Sequence, residues 1–142
     1  MDNFIFSTDL QAMDIDVIHG FLSQSYWAKG IPRDTQIRAL EHSLCVGVLS
    51  KDAEQIAFAR LVTDRATFAY LADVFVIDAY RGRGIGQWMM KETLALPELQ
   101  GLRRIMLATK DAHGLYRQFG FTPLNDPDLM MEIWTPDVYQ TS

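Results

Sequence analysis

The stretch Arg81-Gly-Arg-Gly-Ile-Gly86 separates a run of apolar and β-branched residues, Phe68 to Ile77, from a segment of helical periodicity, Ile85 to Leu96. A strand, a glycine-rich turn and a helix in this order are the layout of a phosphate-binding loop. Glycine lets the backbone approach a ligand closely, and the first turn of a helix offers free N–H groups and a positive dipole end. The two arginines add charge and paired donors. The sequence therefore predicts that this turn binds a phosphorylated cofactor.

Two common phosphate-binding motifs do not fit the spacing of this turn. A P-loop needs Gly-Lys-Ser or Gly-Lys-Thr, and neither tripeptide occurs in the chain. A dinucleotide-binding fingerprint needs G-x-G-x-x-G; Gly82 and Gly84 begin it, but Gln87 occupies its third glycine position. That fingerprint also belongs to the first βαβ unit of a longer parallel sheet, whereas this turn lies past the middle of the chain.

The spacing that does match is Q/R-x-x-G-x-G/A, filled by Arg81, Gly84 and Gly86. It resembles the loop with which the GNAT superfamily of N-acetyltransferases binds the pyrophosphate of acyl-CoA. Upstream, Tyr70 to Tyr80 resembles the central strand of that family and the approach to its loop. Downstream, Leu115 to Phe121 resembles the family's LY-x-x-x-GF signature.

This resemblance covers roughly residues 44 to 134 and implies an α+β fold. The fold would be a three-layer α/β/α sandwich around a mixed, mainly antiparallel sheet that splays at its central parallel strands. Hydrophobic periodicity and turn residues predict a matching order of elements. The predicted strands are 4–7, 44–49, 56–63, 68–77 and 105–108. The predicted helices lie near 14–22, 34–40, 85–96 and 112–119. Phe121 and residues 130–134 would form a terminal hairpin.

Length and composition agree with one globular domain over residues 1–142. The chain has 142 residues, of which 49% are apolar and 22% charged, which is enough for one core and too little for two ordinary domains. The net charge of −5 argues against nonspecific nucleic-acid binding. The longest apolar stretch, 68–77, contains Asp73 and is too short to cross a membrane as a helix. With no basic, apolar leader at the N-terminus, we expect a cytoplasmic protein.

The chain contains one cysteine and three histidines. A single cysteine excludes an intramolecular disulfide framework and multi-cysteine zinc sites. Cys45 lies in the apolar run Leu44 to Leu49, which favours a buried structural thiol. The histidines form no cluster in the sequence, and we expect no metal.

The resemblance also implies where acetyl-CoA, as co-substrate, would bind. Backbone groups of the central strand would pair with the pantetheine arm, and the amides of the glycine-rich turn would hold the pyrophosphate. The residues expected to contact the cofactor are Val74, Phe75, Val76, Arg81, Gly82, Arg83, Gly84, Ile85, Gly86 and Gln87.

Tyr116, Asp73 and His113 are the candidate catalytic residues. A thiol has a pKa of about 8.5 and a phenol about 10. A tyrosine therefore holds a proton at neutral pH and can give it to a departing thiolate. The resemblance gives this role to Tyr116; the alternative is packing against pantetheine or the core. Asp73 interrupts an apolar strand, where it would hold the water that deprotonates an amine, bind the amine's charge, or form a structural ion pair with Arg60. His113 would be a base, a substrate contact or a surface residue.

Tyr26, Trp27 and Arg33 are the candidate acceptor-binding residues, because the first two helices of this family and their connection often line the acceptor pocket. The two aromatic side chains would form a wall that accepts a cation, or serve only as core anchors. Arg33 would meet an acidic group of the acceptor, or be solvated.

Together these features predict an N-acetyltransferase that moves acetyl from acetyl-CoA directly to a primary amine in a ternary complex. The amine would belong to a small molecule or to a protein, with no nucleic acid or membrane as partner. The alternative is a non-catalytic acyl-CoA-binding sensor or regulatory module, which would tend to lose the tyrosine and the strand carboxylate that are both present here. The resemblance also implies a possible homodimer, because proteins of this family often pair through edge strands, and the Met130-Met131 pair fits core or dimer packing.

Overall fold

The computed structural model describes residues 1–140 and contains one five-stranded sheet in the order β1-β2-β3-β4-β5. Strands β1 to β4 are antiparallel to their neighbours, and β5 is parallel to β4, as predicted for strands joined by a helical crossover. The strands are β1 (Phe4–Ser7), β2 (Leu44–Ser50), β3 (Gln55–Thr63), β4 (Phe68–Val76) and β5 (Arg104–Leu107), and the helices are α1 (Ile15–Leu22), α2 (Arg33–Glu41), α3 (Ile85–Leu94) and α4 (His113–Arg117).

Two apolar cores lie on the two faces of the sheet, because successive side chains of a strand point to opposite sides. Helix α3 packs Ile85 and Met89 into the larger core. Helices α1 and α2 pack Ile18 and Leu40 into the smaller core, which includes Cys45. The buried thiol is confirmed: Cys45 is 3% exposed, and burial raises its pKa to about 11. The mixed sheet with helices on both faces is the predicted fold class.

A β-bulge in β4 shapes the sheet next to the point where β4 and β5 part. Phe58 pairs with Phe75 and Arg60 with Ala72, so two residues of β4, Asp73 and its successor, oppose a single residue of β3. Asp73 has φ +58°, a left-handed conformation that aspartate tolerates better than most residues. Pairing between β4 and β5 ends at the Leu71–Leu107 pair, so β4 from residue 72 onward has no partner on that side. The sheet is therefore splayed between its parallel strands.

The terminal hairpin prediction is wrong for the described residues. No strand follows β5 within residues 1–140. A 3-10 turn spans Pro127–Leu129, and residues 130–134 adopt no regular structure. The apolar pattern that predicted a strand is present, but a strand also needs a neighbour for its hydrogen bonds, and the segment has none within residues 1–140.

None of the helices within residues 1–140 combines the length and the hydrophobicity needed to span a membrane. The longest, α3, has 10 residues.

Candidate active site

A cleft of about 1410 Å³ opens where β4 and β5 part. One wall is formed by β4 and the start of the glycine-rich turn, and the opposite wall by the loop after β5 and the first residues of α4. The connection between α1 and α2 closes the cleft from above. The lining residues that the argument below uses are Tyr26, Trp27, Gln36, Arg60, Asp73, Val74, Phe75, Arg81, Lys110 and Tyr116.

The glycine-rich turn presents a row of free amides. Gly82 and Gly84 have φ +79° and +77°, so both glycines are required by the backbone conformation, and Gly84 is the N-cap of α3. Among residues 1–140, the six N–H groups from Gly82 to Gln87 donate to no backbone acceptor, whereas the Arg81 N–H bonds to the Asp78 carbonyl. Consecutive free amides at a helix N-terminus form an anion-binding site.

The side chains around these amides hold the turn in place. An added Cβ on Gly86 would lie 3.6 Å from Val76 Cγ2, an ordinary van der Waals distance, so α3 lies next to β4 here and has room for a methyl group. Arg81 pairs with Asp78 at 3.2 Å and donates from Nε to the Val76 carbonyl at 3.2 Å. The Arg83 guanidinium lies over the Tyr80 ring, 5.0 Å from its centroid. Both arginines therefore flank the amides and remain exposed.

The unpaired edge of β4 offers backbone groups to a ligand. The Phe75 side chain is buried on the opposite face, where it stacks on Phe21 with ring centroids 4.2 Å apart. Val74 and Val76 are half-buried against the larger core. Where β4 and β5 part, these three residues therefore expose mainly their backbone N–H and C=O groups. An extended ligand that contains amides could pair with these groups as an added strand does.

Asp73 is the centre of a buried polar cluster that borders the cleft. Its Oδ1 accepts a hydrogen bond from Trp27 Nε1 at 2.8 Å, and its Oδ2 accepts one from Arg60 Nε at 2.7 Å. Arg60 also donates from Nη1 to Ser43 Oγ at 3.1 Å. The predicted ion pair with Arg60 is present, although the bulge moves Arg60 to face Ala72. A carboxylate has room for about four hydrogen bonds, so Asp73 can accept two more.

Gln36 is a cleft residue that sequence reasoning missed. It is 1% exposed, and its Oε1 is a buried polar atom without a partner within residues 1–140. A buried acceptor without a donor costs about 1–3 kcal/mol, a cost that an N–H group of a ligand in the cleft would relieve. The signal in the sequence was its spacing from Leu40: four residues apart on a helix, both lie on the same, buried face.

Tyr26 and Trp27 form the upper rim of the cleft. They are 64% and 44% exposed, so they are not core anchors, and their rings meet edge-to-face with centroids 5.1 Å apart. Lys110, from the loop after β5, places Nζ 5.3 Å from the centroid of the Tyr26 ring. This cation–π contact joins the loop after β5 to the connection between α1 and α2. Lys110 also was not predicted.

Tyr116 lies on α4 and lines the cleft from the β5 side. It is 8% exposed and packs edge-to-face on Phe121, with centroids 5.9 Å apart. Burial, together with nearby Tyr26, raises the pKa of the phenol above its ordinary value. The side chain is therefore a protonated phenol at neutral pH, which is the state that a proton donor needs.

Two sequence candidates lie elsewhere. His113 is exposed at the start of α4 and lines a second groove beyond β5, not the cleft of Asp73 and Tyr116. Arg33 forms an exposed ion pair with Asp16 at 2.5 Å and also does not line the cleft. Within the described part of the chain, no three His, Cys, Asp or Glu side chains come together to hold a metal ion.

Comparison with known proteins gives one consistent result. The model of the GNAT acetyltransferase domain matches residues 42–123. A candidate acetyltransferase of Gibberella zeae is 32% identical over 136 residues, which cover 80% of this chain and 76% of that protein. A crystal structure of a candidate GNAT acetyltransferase from Xanthomonas campestris is 51% identical, covers 99% of both chains and superposes with a TM-score of 0.95. A candidate acetyltransferase from Deinococcus radiodurans shares the fold, at 23% identity and TM-score 0.73, over 95% of this chain and 90% of its own.

Proposed function

Because the chain belongs to the GNAT family of acetyltransferases, we propose that it transfers acetyl from acetyl-CoA to a primary amine within a ternary complex. The single observation that carries this proposal is the cleft itself. The unpaired edge of β4, a buried tyrosine and a buried carboxylate border the cleft, and so does Arg81, the residue directly before the six free amides of the glycine-rich turn. A bare phosphate site would not need the first three features.

The chain's own groups fit acetyl-CoA. The amides from Gly82 to Gln87 match a pyrophosphate, whose oxygens are acceptors only. The free backbone of β4 from residue 74 to 76 matches the amides of pantetheine. An acyl thioester placed at the end of that arm would lie between β4 and β5, where Tyr116 lines the cleft.

Tyr116 is proposed as the proton donor to the leaving sulfur. Transfer forms a carbon–nitrogen bond and breaks the carbon–sulfur bond of the thioester, so the sulfur gains a proton and the amine loses one. The raised pKa keeps the phenol protonated, so it can act as a general acid while the carbon–sulfur bond breaks. Because a thiol is a stronger acid than a phenol by about 1.5 pKa units, the phenolate left behind then recovers a proton from solvent.

Asp73 is proposed as the group that binds the amine and receives its proton through a water molecule. Trp27 and Arg60 fix both carboxylate oxygens in position, which leaves two acceptor directions for an ammonium ion or water. His113 is not assigned a role, because it does not line the cleft. The acceptor is thus a cation that passes under the aromatic rim of Tyr26 and Trp27, and the unpartnered Gln36 Oε1 supplies a second acceptor for one of its N–H groups.

A second candidate function is an acyl-CoA-binding module without turnover. The observation in its favour is that Asp73 already has an ion pair with Arg60 at 2.7 Å, which a purely structural carboxylate would have. The two functions differ in one measurable product, since only an enzyme releases CoA thiol in an amine-dependent way.

The experiment is an assay of free thiol from acetyl-CoA in the presence of a panel of amines: polyamines, amino acids, amino sugars and a lysine peptide. The enzyme hypothesis predicts amine-dependent thiol release by the wild-type protein and its loss in Asp73→Asn. Binding of acetyl-CoA without thiol release from any amine would favour the binding module.

A further inference from the structure

Arg60 is a largely buried cation whose donors are only partly used by the protein. Its side chain is 19% exposed and lines the cleft beside Asp73. Of the five N–H groups of a guanidinium, the one on Nε binds Asp73 and one on Nη1 binds Ser43 Oγ. The other three, including both on Nη2, have no hydrogen-bond partner within residues 1–140. Paired free donors of a guanidinium match a carboxylate, which accepts two parallel N–H groups.

Asp73 and Arg60 therefore offer two opposite charges side by side in the cleft. Asp73 can accept two more hydrogen bonds, and Gln36 Oε1 is a buried acceptor without a donor within residues 1–140. An ammonium group can donate to these acceptors, and a carboxylate of the same ligand can accept from Arg60. An α-amino acid carries both groups on one carbon atom, so both can reach a contacting ion pair at once.

The charges along the cleft favour a ligand with one charge of each sign. Among residues 1–140, the charged residues that line it are Arg60, Arg81, Lys110, Asp73, Asp78 and Asp111. Three are cationic and three anionic, whereas electrostatic complementarity to a polyamine would need an excess of carboxylates, and to a sugar phosphate an excess of cations.

The other two cations of the cleft already have contacts of their own. Arg81 pairs with Asp78 at 3.2 Å and donates to the Val76 carbonyl next to the glycine-rich turn. Lys110 is exposed at the rim, with Nζ over the Tyr26 ring. Arg60 is therefore the cation that combines burial, unused donors and direct contact with the carboxylate proposed to bind the amine.

We propose that the acceptor is a free α-amino acid, bound as a zwitterion and acetylated on its α-amino group; this inference rests on the proposed acetyl transfer. The ammonium group binds Asp73 and Gln36, and the carboxylate binds Arg60. Asp73 receives a proton through water, and the neutral amine forms a bond to the thioester carbonyl carbon. The carbon–sulfur bond breaks and the sulfur takes a proton, so the products are an N-acetylamino acid and CoA. Arg60 thus determines specificity.

Calorimetry tests the ligand class without requiring turnover. Phenylalanine, leucine and lysine are each titrated into the protein, with and without CoA, beside the amine that lacks the carboxylate and the acid that lacks the amino group. At least one amino acid should bind about 10-fold or more tightly than both of its analogues, as expected for loss of one charge-assisted contact. Binding of the decarboxylated amines that equals or exceeds that of the amino acids, or no binding of any amino acid, would overturn the proposal.

A matched pair of variants tests the assignment to Arg60. Arg60→Gln removes the buried charge, and Lys110→Gln makes the same change in the exposed cation at the rim. The preference for the amino acid over its decarboxylated amine should disappear in Arg60→Gln and persist in Lys110→Gln. Arg60→Lys keeps the charge but not the paired donors, so it should give an intermediate preference, and it replaces Arg60→Gln if thermal melts show that this variant does not fold. An unchanged preference in the Arg60 variants, or its loss in Lys110→Gln alone, would overturn the assignment.

The thiol-release assay with the same ligands separates this inference from the proposed function. Amino-acid-dependent release of CoA thiol, with a lower kcat/KM for the decarboxylated amines, supports both. Thiol release that is as fast with the decarboxylated amines overturns the ligand class and leaves acetyl transfer standing. If the amino acids bind with the expected preference but no amine releases thiol, the ligand class stands and acetyl transfer is wrong.

Discussion

Two regions of the proposed site are built in different ways: the glycine-rich turn, called the cofactor wall below, and the cluster around Asp73, called the acceptor wall. The cofactor wall is local: its six free amides belong to consecutive residues, 82–87, and its shape follows from two glycines with positive φ. The acceptor wall is long-range: Asp73 is joined to Trp27, 46 residues away, and to Arg60, 13 residues away. One wall is mainly backbone, and the other is side chains. The difference implies that cofactor affinity and amine turnover can be removed separately.

The largest expected effect comes from the cofactor wall. Gly84→Val should weaken acetyl-CoA binding by at least about 100-fold, since a β-branched residue cannot readily keep the φ of +77° and loss of two charge-assisted hydrogen bonds alone is worth this factor. The stabilisation of the protein by acetyl-CoA in a thermal melt should disappear. Gly101→Val is the matched control, because Gly101 has φ +75° in an exposed turn outside the cleft. An equal loss of acetyl-CoA binding in both variants would contradict the prediction that the glycine-rich turn itself binds the cofactor.

The next effect comes from the acceptor wall. Asp73→Asn should lower kcat/KM for the amine by about 100-fold, in the range for loss of a general base, and leave the Kd of acetyl-CoA unchanged. Arg60→Gln breaks the same ion pair from the other side. It should lower the free energy of unfolding, but it should lower kcat/KM for the amine less than Asp73→Asn does. If both variants show the same loss of unfolding free energy and the same loss of kcat/KM, Asp73 serves only as the ion-pair partner of Arg60 and not in the reaction.

Tyr116→Phe should lower kcat by about 10-fold, because water can replace a phenol as proton donor to a thiolate. Binding of acetyl-CoA should be retained, since the ring still packs on Phe121. The raised pKa means that the wild-type kcat should show no fall from ionisation of this phenol below about pH 10. A pH profile measured for both proteins checks this, and an unchanged kcat in the variant would remove Tyr116 from the mechanism.

The smallest expected effect is at Gln36, where it separates a role in binding the acceptor from a role in packing. Gln36→Leu removes a buried acceptor without a partner, so the free energy of unfolding should rise by about 1 kcal/mol, while KM for the amine rises several-fold. Chemical denaturation and steady-state kinetics on the same preparation test both parts. A gain in stability with an unchanged KM would show that Gln36 does not bind the acceptor.

The difference between local and long-range contacts also explains which features the sequence could predict. The glycine-rich turn and the strands around it were predictable because glycine spacing and alternation are properties of neighbouring residues. The contact between Asp73 and Arg60 was predicted, but its register was not, since no residue type marks the extra residue of the bulge. Trp27 was placed in the acceptor region without its partner, and Gln36 and Lys110 were missed, because tertiary contacts bring them there.

The terminal segment marks a different limit. Its apolar pattern indicates a strand, and residues 130–134 have no partner strand within the described chain. A pattern in one sequence cannot state whether the neighbour of a strand belongs to the same copy or to another.

The most direct measurement is titration calorimetry of the wild-type protein with acetyl-CoA, CoA, NADH and ATP. The account predicts micromolar binding of acetyl-CoA and CoA, with no comparable binding of NADH or ATP. A failure to bind acetyl-CoA, or a preference for NADH or ATP, would contradict the proposed ligand of the glycine-rich turn and the roles assigned to both walls of the cleft.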